Sequence, residues 1–102
     1  MERPSIIRLL GVSIKIEYCN FNDEESNNED VYGEWHSDTF DIKIEENLPP
    51  HHQKITLLHE LLHGVDDFLS LGISHKSVYA ISQCLYAVMR ENREMIEWVM
   101  ED

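Results

Sequence analysis

Two histidines in the segment of residues 56–64, TLLHELLHG, have the spacing of a metal site. His59 and His63 are four residues apart, so on a helix their imidazoles lie on one face, one turn apart. Zinc binds such nitrogens at about 2.0–2.1 Å in a tetrahedral site. Glu60 is rotated by about 100° from His59, which keeps it off the metal but beside a zinc-bound water whose proton it accepts. The HExxH spacing therefore indicates a zinc hydrolase; the alternative is two surface histidines on an ordinary amphipathic helix.

A catalytic zinc site usually has three protein ligands and one open position, so a third ligand is needed. His75 is the candidate, because it begins a predicted second helix that returns beside the first. The alternative is an unremarkable histidine at a helix start. Five other residues are excluded, four by their distance along the helix and one as a solvated turn residue: Asp66, Asp67, His51, His52 and His36.

Tyr79 lies one turn after His75, on the same helix face. Its hydroxyl has an ordinary pKa near 10, which makes it a poor zinc ligand at neutral pH. We interpret Tyr79 either as a hydrogen-bond donor to a developing oxyanion or as a half-buried core residue.

Alternating apolar and polar residues predict strands before the HExxH helix. The clearest runs from Val12 to Tyr18, and a weaker one over Ser5–Leu10 is joined to it through Gly11. A second hairpin is predicted from Tyr32–Trp35, a turn at residues 36–39, and a return strand over Phe40–Glu45.

Two proline residues, Pro49 and Pro50, favour a helix start after these strands. Apolar residues three and four apart then predict an amphipathic helix from His51 to Leu69, with a core face of Ile55, Leu58, Leu62, Val65 and Leu69. Ser74 is a candidate N-cap for a second helix, whose core face comprises Val78, Ile81, Leu85 and Val88. Residues 93–102 either extend that helix or form a third one. Core packing is favoured over an exposed partner patch for three aromatic residues, Trp35, Phe68 and Trp98.

Length and composition set the class of protein. A chain of 102 residues with 42% hydrophobic residues predicts one globular domain, residues 1–102. Its net charge of −12 disfavours nucleic acid and anionic membranes as partners, and no apolar run is long enough to span a membrane. Residues 20–30 are interpreted as a solvated acidic loop. Two distant cysteines favour reduced thiols and a cytoplasmic location.

Two segments resemble a known family: GEWHSDTFDIKIEENLPPHHQKITLLHELLHGVDD and, after it, ISHKSVYAISQCLYAVMREN. They are similar to small phage and prophage minimal zincins, HExxH proteins distantly similar to ImmA/IrrE-type and SprT-like metallopeptidases. The resemblance implies an α+β fold in which a small antiparallel sheet packs on the HExxH helix and a second antiparallel helix. It also implies His59 and His63 as Zn²⁺ ligands, Glu60 as catalytic base, and an extended substrate antiparallel to Phe40–Glu45.

The sequence departs from this family at the third ligand, where a glutamate is usual and Tyr79 stands. Either His75 supplies the ligand or the site has two protein ligands only. We therefore expect a zinc-dependent hydrolase, a metallopeptidase of phage or mobile-element type acting on a peptide or protein in the host cytoplasm. The alternative is a catalytically inactive zincin scaffold that binds metal or a host protein.

Overall fold

The computed structural model describes residues 1–21 and 32–102, which form strands followed by helices. The strands are β1 (Ile6–Leu9), β2 (Val12–Cys19), β3 (Gly33–His36) and β4 (Asp41–Glu45), and the helices are α1 (Pro50–Leu69), α2 (His75–Glu91) and α3 (Arg93–Met100). An α+β fold is thus confirmed. The acidic loop predicted for residues 20–30 falls mainly in residues 22–31, outside the described residues.

The sheet is mixed, with the strand order β1-β2-β4-β3. Both predicted hairpins are present, because β1 pairs antiparallel with β2 and β3 pairs antiparallel with β4. The prediction of a wholly antiparallel sheet is wrong for the central pair: β2 and β4 run parallel, with Lys15 opposite Asp41 and Cys19 opposite Glu45. Since β4 has a strand on each side, Phe40–Glu45 has no edge for a substrate. Among the described residues, the sheet edge that packs against α1 is β3.

The hydrophobic core lies between the sheet and α1. Alternation in β2 and β4 is confirmed, because Ile14, Ile16, Ile42 and Ile44 are all buried. Helix α1 covers them with a row of partly buried residues, Leu57, Leu61, Val65 and Phe68. This packing fixes which side of α1 faces the sheet, and hence which side is left for His59 and His63.

The predicted core face of α1 is largely wrong. Of its five residues only Val65 packs against the buried core cluster, and the side chain of Leu69 is 53% exposed. The reason is that α1 lies between two neighbours, the sheet and α2, so its apolar residues are divided between two faces. Among the described residues, none of the helices is both long enough and apolar enough to cross a bilayer.

The core face predicted for α2 is wrong for three of its four positions. Val78 is fully buried, whereas Ile81, Leu85 and Val88 are exposed. Among the described residues α2 packs mainly against α1, and these three residues stay exposed although they lie on the same apolar stripe as Val78. Trp98 in α3 is also exposed, against the prediction of core packing, while Trp35 and Phe68 pack against the core as predicted.

The carboxylate of Glu45 ties the end of β4 to the chain that follows β2. Its Oε2 accepts a hydrogen bond from the backbone N–H of Phe21 at 2.7 Å, and its Oε1 accepts one from the Asn47 side-chain amide at 3.0 Å. The Phe21 hydrogen bond lowers the pKa of Glu45, against the opposing effect of burial, and Asn47 lowers it further. Folding therefore favours the ionised form.

We expect Glu45→Gln to lower the free energy of unfolding by about 1–3 kcal/mol at pH 7, because it removes a charged hydrogen-bond acceptor. A lowered pKa in the folded state stabilises the protein above the ordinary value of 4.5, and this stabilisation is lost as the pH falls through the folded-state pKa. Urea unfolding at pH 7, 5 and 3 measures the difference, which should shrink toward pH 3. The exposed neighbour Glu46→Gln is the control, and equal losses in both variants would contradict the prediction.

Candidate metal centre

Helix α1 brings the two histidines of the HExxH motif into direct contact. Their Nε2 atoms are 3.1 Å apart, and their ring centroids are 4.8 Å apart. His59 is buried and His63 is half-buried. The α-helical spacing predicted from the sequence is confirmed, and both imidazoles turn toward one point at the α2 side of α1.

His75 joins this pair from the first position of α2. Its ring centroid lies 4.9 Å from that of His59 and 5.3 Å from that of His63. The ligand nitrogens of the three histidines all lie within 4.8 Å of one another, and no other such group of three is present among residues 1–21 and 32–102. The spatial part of the His75 prediction is therefore confirmed.

The connection between α1 and α2 places His75. Helix α1 ends in a left-handed residue, Ser70, with φ 51°, and the Asp66 carboxylate then accepts a hydrogen bond from the Ile73 N–H at 3.1 Å. Ser74 caps α2 as predicted, accepting a hydrogen bond from the Ser77 N–H at 3.1 Å. Asp66, rejected as a ligand, is thus a positioning residue for the third histidine.

Glu60 lies at the junction of α1 and β3, with only 2% of its side chain exposed. It faces Gly33, where an added Cβ would lie 2.8 Å from Glu60 Oε2 and 2.7 Å from Thr56 Cγ2. Glycine in a short strand often marks such a close backbone approach. The strand therefore confines the carboxylate of Glu60, which lines the same cleft as His59 and His75.

A cleft of about 250 Å³ opens over this group. Its lining includes His59, Glu60, His75 and Tyr79, together with residues that the sequence analysis did not select: Tyr32, Gly33, His52, Ile55, Thr56, Ser82 and Gln83. Tyr79 is 57% exposed, with its ring centroid 6.3 Å from that of His59. The structure thus places Tyr79 in the cleft and not in the core.

Of the residues excluded as metal ligands, His52 lines this cleft, whereas His36 lies outside it. His36 is at the end of β3, where its Nε2 contacts Glu34 at 2.8 Å and its Nδ1 contacts Asp41 at 3.2 Å. Burial lowers the pKa of His36, but the two carboxylates outweigh this effect and raise it overall. His36 is therefore not a solvated turn residue, and its role lies in holding the β3–β4 hairpin.

Three neutral imidazoles form a donor set suited to Zn²⁺, which accepts three histidines and keeps a fourth position open in catalytic sites. Tetrahedral coordination at about 2.0–2.1 Å places neighbouring ligand nitrogens about 3.3 Å apart. The 3.1 Å between the Nε2 atoms of His59 and His63 is close to this separation. The residues present therefore fit a zinc ion.

Comparison with known proteins adds no assignment. The chain matches no family model, no curated protein sequence and no solved structure. The interpretation of the site consequently depends on its own residues, above all on the three histidines and Glu60.

The contact between Gly33 and Glu60 is testable. We expect Gly33→Ala to lower the free energy of unfolding by about 1–3 kcal/mol through overpacking, and to displace the Glu60 carboxylate. Thr56→Ser removes the crowded methyl group but keeps a hydroxyl, which donates to the His52 carbonyl at 2.8 Å in the wild type. Urea unfolding of both single variants and the double variant should show partial recovery in the double variant. Simple additivity of the two losses would contradict this close approach.

Proposed function

We propose that this protein is a zinc-dependent hydrolase, a metallopeptidase in which His59, His63 and His75 hold the metal and Glu60 is the general base. One observation carries the proposal. The ligand nitrogens of three histidines lie within 4.8 Å of one another, and the buried carboxylate of Glu60 lines the same cleft as His59 and His75. A surface pair of histidines would have neither the third imidazole nor the enclosed carboxylate.

His59, His63 and His75 would hold Zn²⁺, which would supply a Lewis acid for polarising the scissile carbonyl and acidifying water. Glu60 accepts a proton from the attacking water and then delivers it to the leaving amine, as a general base and acid. Because Gly33 and Thr56 confine its carboxylate, Glu60 is held ready for this transfer. The burial of Glu60 also excludes bulk water from the side of the base that faces β3.

Tyr79 and β3 complete the proposed substrate site. Tyr79 lines the cleft from α2, where its hydroxyl donates a hydrogen bond to the developing oxyanion. Strand β3 has a single strand neighbour within the described residues, β4, and its Gly33 backbone borders the cleft. An extended peptide therefore adds to the outer edge of β3 by main-chain hydrogen bonds.

The proposed substrate is a peptide or protein in the cytoplasm, the host cytoplasm if the chain is encoded by a phage. Cys19 and Cys84, both among the described residues, form no disulfide, which supports a reducing compartment. The acidic surface, with a net charge of −12, supports a protein partner over nucleic acid.

We expect purified protein to hold about one Zn²⁺ per chain, and His63→Ala and His75→Ala each to weaken binding by at least about tenfold, since each removes one of three ligands. Competition with a chromophoric chelator measures the affinity. His51→Ala is the matched control, because His51 lies on the same helix but is exposed in its first turn. Equal zinc affinity in the wild type, His63→Ala and His75→Ala would refute the proposed metal site.

We expect Glu60→Gln to keep Zn²⁺ but to lower hydrolysis by about 10²–10⁴-fold, because the amide cannot accept the proton from water. The assay uses a library of internally quenched peptides, with the zinc content of each variant measured in parallel. Zinc binding without hydrolysis by the wild type would support the alternative of an inactive metal-binding scaffold. Equal hydrolysis by Glu60→Gln and wild type would refute the role of the base.

A further inference from the structure

Helix α3 presents an apolar face that the described part of the chain leaves uncovered. None of its residues is buried. Met95, Trp98 and Val99 are 43%, 72% and 64% exposed, and they stand at positions i, i+3 and i+4, so they share one face of the helix. Exposed apolar side chains that are contiguous in this way mark interaction surfaces.

The opposite face of this segment is acidic. Glu94, Glu97, Glu101 and Asp102 alternate with the apolar residues, and Arg93 at the start of α3 is the one basic residue from position 93 onward. The segment is therefore an acidic amphipathic helix. A groove that binds it needs an apolar floor and basic residues at its rim.

A groove of this composition lies between α1 and α2. Its volume is about 370 Å³, and its floor is formed by Leu57, Leu58, Tyr86 and Met89. Three basic side chains line it as well, Lys54, Arg90 and Arg93. Since the whole chain has 8 lysine and arginine residues, this groove collects a large share of the positive charge of an acidic protein.

The helix of the same chain does not fill this groove. Arg93 is the single α3 residue in the groove lining, and the apolar residues of α3 remain exposed. The two surfaces match in apolar character and in charge, and both are present on every copy of the chain. A second copy therefore offers the complementary surface.

We propose that the protein forms a symmetric dimer in which α3 of each copy binds in the groove between α1 and α2 of the other. Such an isologous interface uses each pair of surfaces twice. Recognition follows the helix-in-groove mode, with Met95, Trp98 and Val99 as anchors, and Trp98 is the strongest candidate for a hot spot. Opposite charges at the rim set the orientation.

The dimer leaves the candidate metal centre open. The lining of the groove and the lining of the cleft at His59 share no residue. Leu85, exposed on α2, lies one turn before Met89 of the groove lining on the same side of the helix, and it extends the apolar surface. This matters because a stable interface buries about 1,200–2,000 Å², more than an eight-residue helix of about 12 Å length covers alone.

The first test is sedimentation velocity of the full chain over a range of concentrations. We expect the wild type to have twice the single-chain mass of 12.0 kDa, and Trp98→Glu to raise the dissociation constant by at least about tenfold. Leu71→Glu is the matched control, because Leu71 is an exposed apolar residue like Trp98 but lies in the α1–α2 connection, at the opposite end of α1 from Lys54. It should dimerise like the wild type.

Exchanging the charges of the groove and of α3 gives a second test, because it distinguishes a lost interface from a variant that fails to fold. Lys54→Glu with Arg93→Glu makes the groove acidic, and Glu97→Lys with Glu101→Lys makes α3 basic. We expect each double variant alone to be monomeric, since like charges then face each other, and an equimolar mixture of the two to form heterodimers, since both contacts are again complementary. Circular dichroism confirms that each variant is folded.

Three outcomes would overturn the dimer. They are a monomeric wild type at all concentrations, equal dissociation of Trp98→Glu and Leu71→Glu, and a mixture of the two charge variants that stays monomeric. Flotation with phosphatidylcholine–phosphatidylglycerol vesicles tests the alternative that the apolar face of α3 binds a membrane surface. A monomer that binds vesicles through Trp98 would assign α3 to a membrane surface and refute the dimer.

Discussion

The close packing of β3 against α1 is the constraint on which the candidate centre depends. Gly33 has no side chain at the point where the strand meets Thr56 and Glu60. Gly64, one turn after Glu60, also allows a close approach: the ring atoms of Trp35 lie 3.1 Å from where a Cβ of residue 64 would be. Because interiors pack as densely as crystals, a methyl group at Gly33 would force the side chains of Thr56 and Glu60 to shift, and one at Gly64 would press on the ring of Trp35. The carboxylate of Glu60 keeps its position only because Gly33 has no side chain.

Much of the fold could be predicted from the sequence because its elements have strong local signals. The period-two pattern of β2 and β4 and the two hairpins were predicted to within one or two residues, and so were the start of α1 after Pro49 and the Ser74 cap of α2. The order of the strands has no local signal. The parallel pairing of β2 with β4 depends on which strands lie side by side, and that is a property of the whole sheet.

The faces of the helices were predicted poorly for a related reason. Periodicity shows that a helix has an apolar stripe but not how many neighbours share it. Helix α1 has two neighbours, so Leu61 faces the sheet, Leu58 lines the groove toward α2, and Leu57 contributes to both. Among the described residues α2 packs mainly against α1, so Ile81, Leu85 and Val88 stay exposed although they share the apolar stripe of Val78. The candidate site was easier to predict, since i and i+4 residues adjoin on any helix. Gly33 was the missed signal, a glycine at the start of a short strand.

The division of α1 into separate faces also explains how so short a chain can carry a buried polar centre. Burying a carboxylate and imidazoles is unfavourable unless each finds a partner, so these groups need a place where the core is already closed around them. The row from Leu57 to Phe68 closes the core on the sheet side. The space between the sheet and α2 is then left for the polar residues of α1, which are His59, Glu60 and His63. Helix α2 contributes His75 and Tyr79 to the same place. The cost of this arrangement is that α2 is held by one face only. Its other face, and α3 beyond it, remain outside the core, and it is there that the chain has apolar surface left for a second molecule.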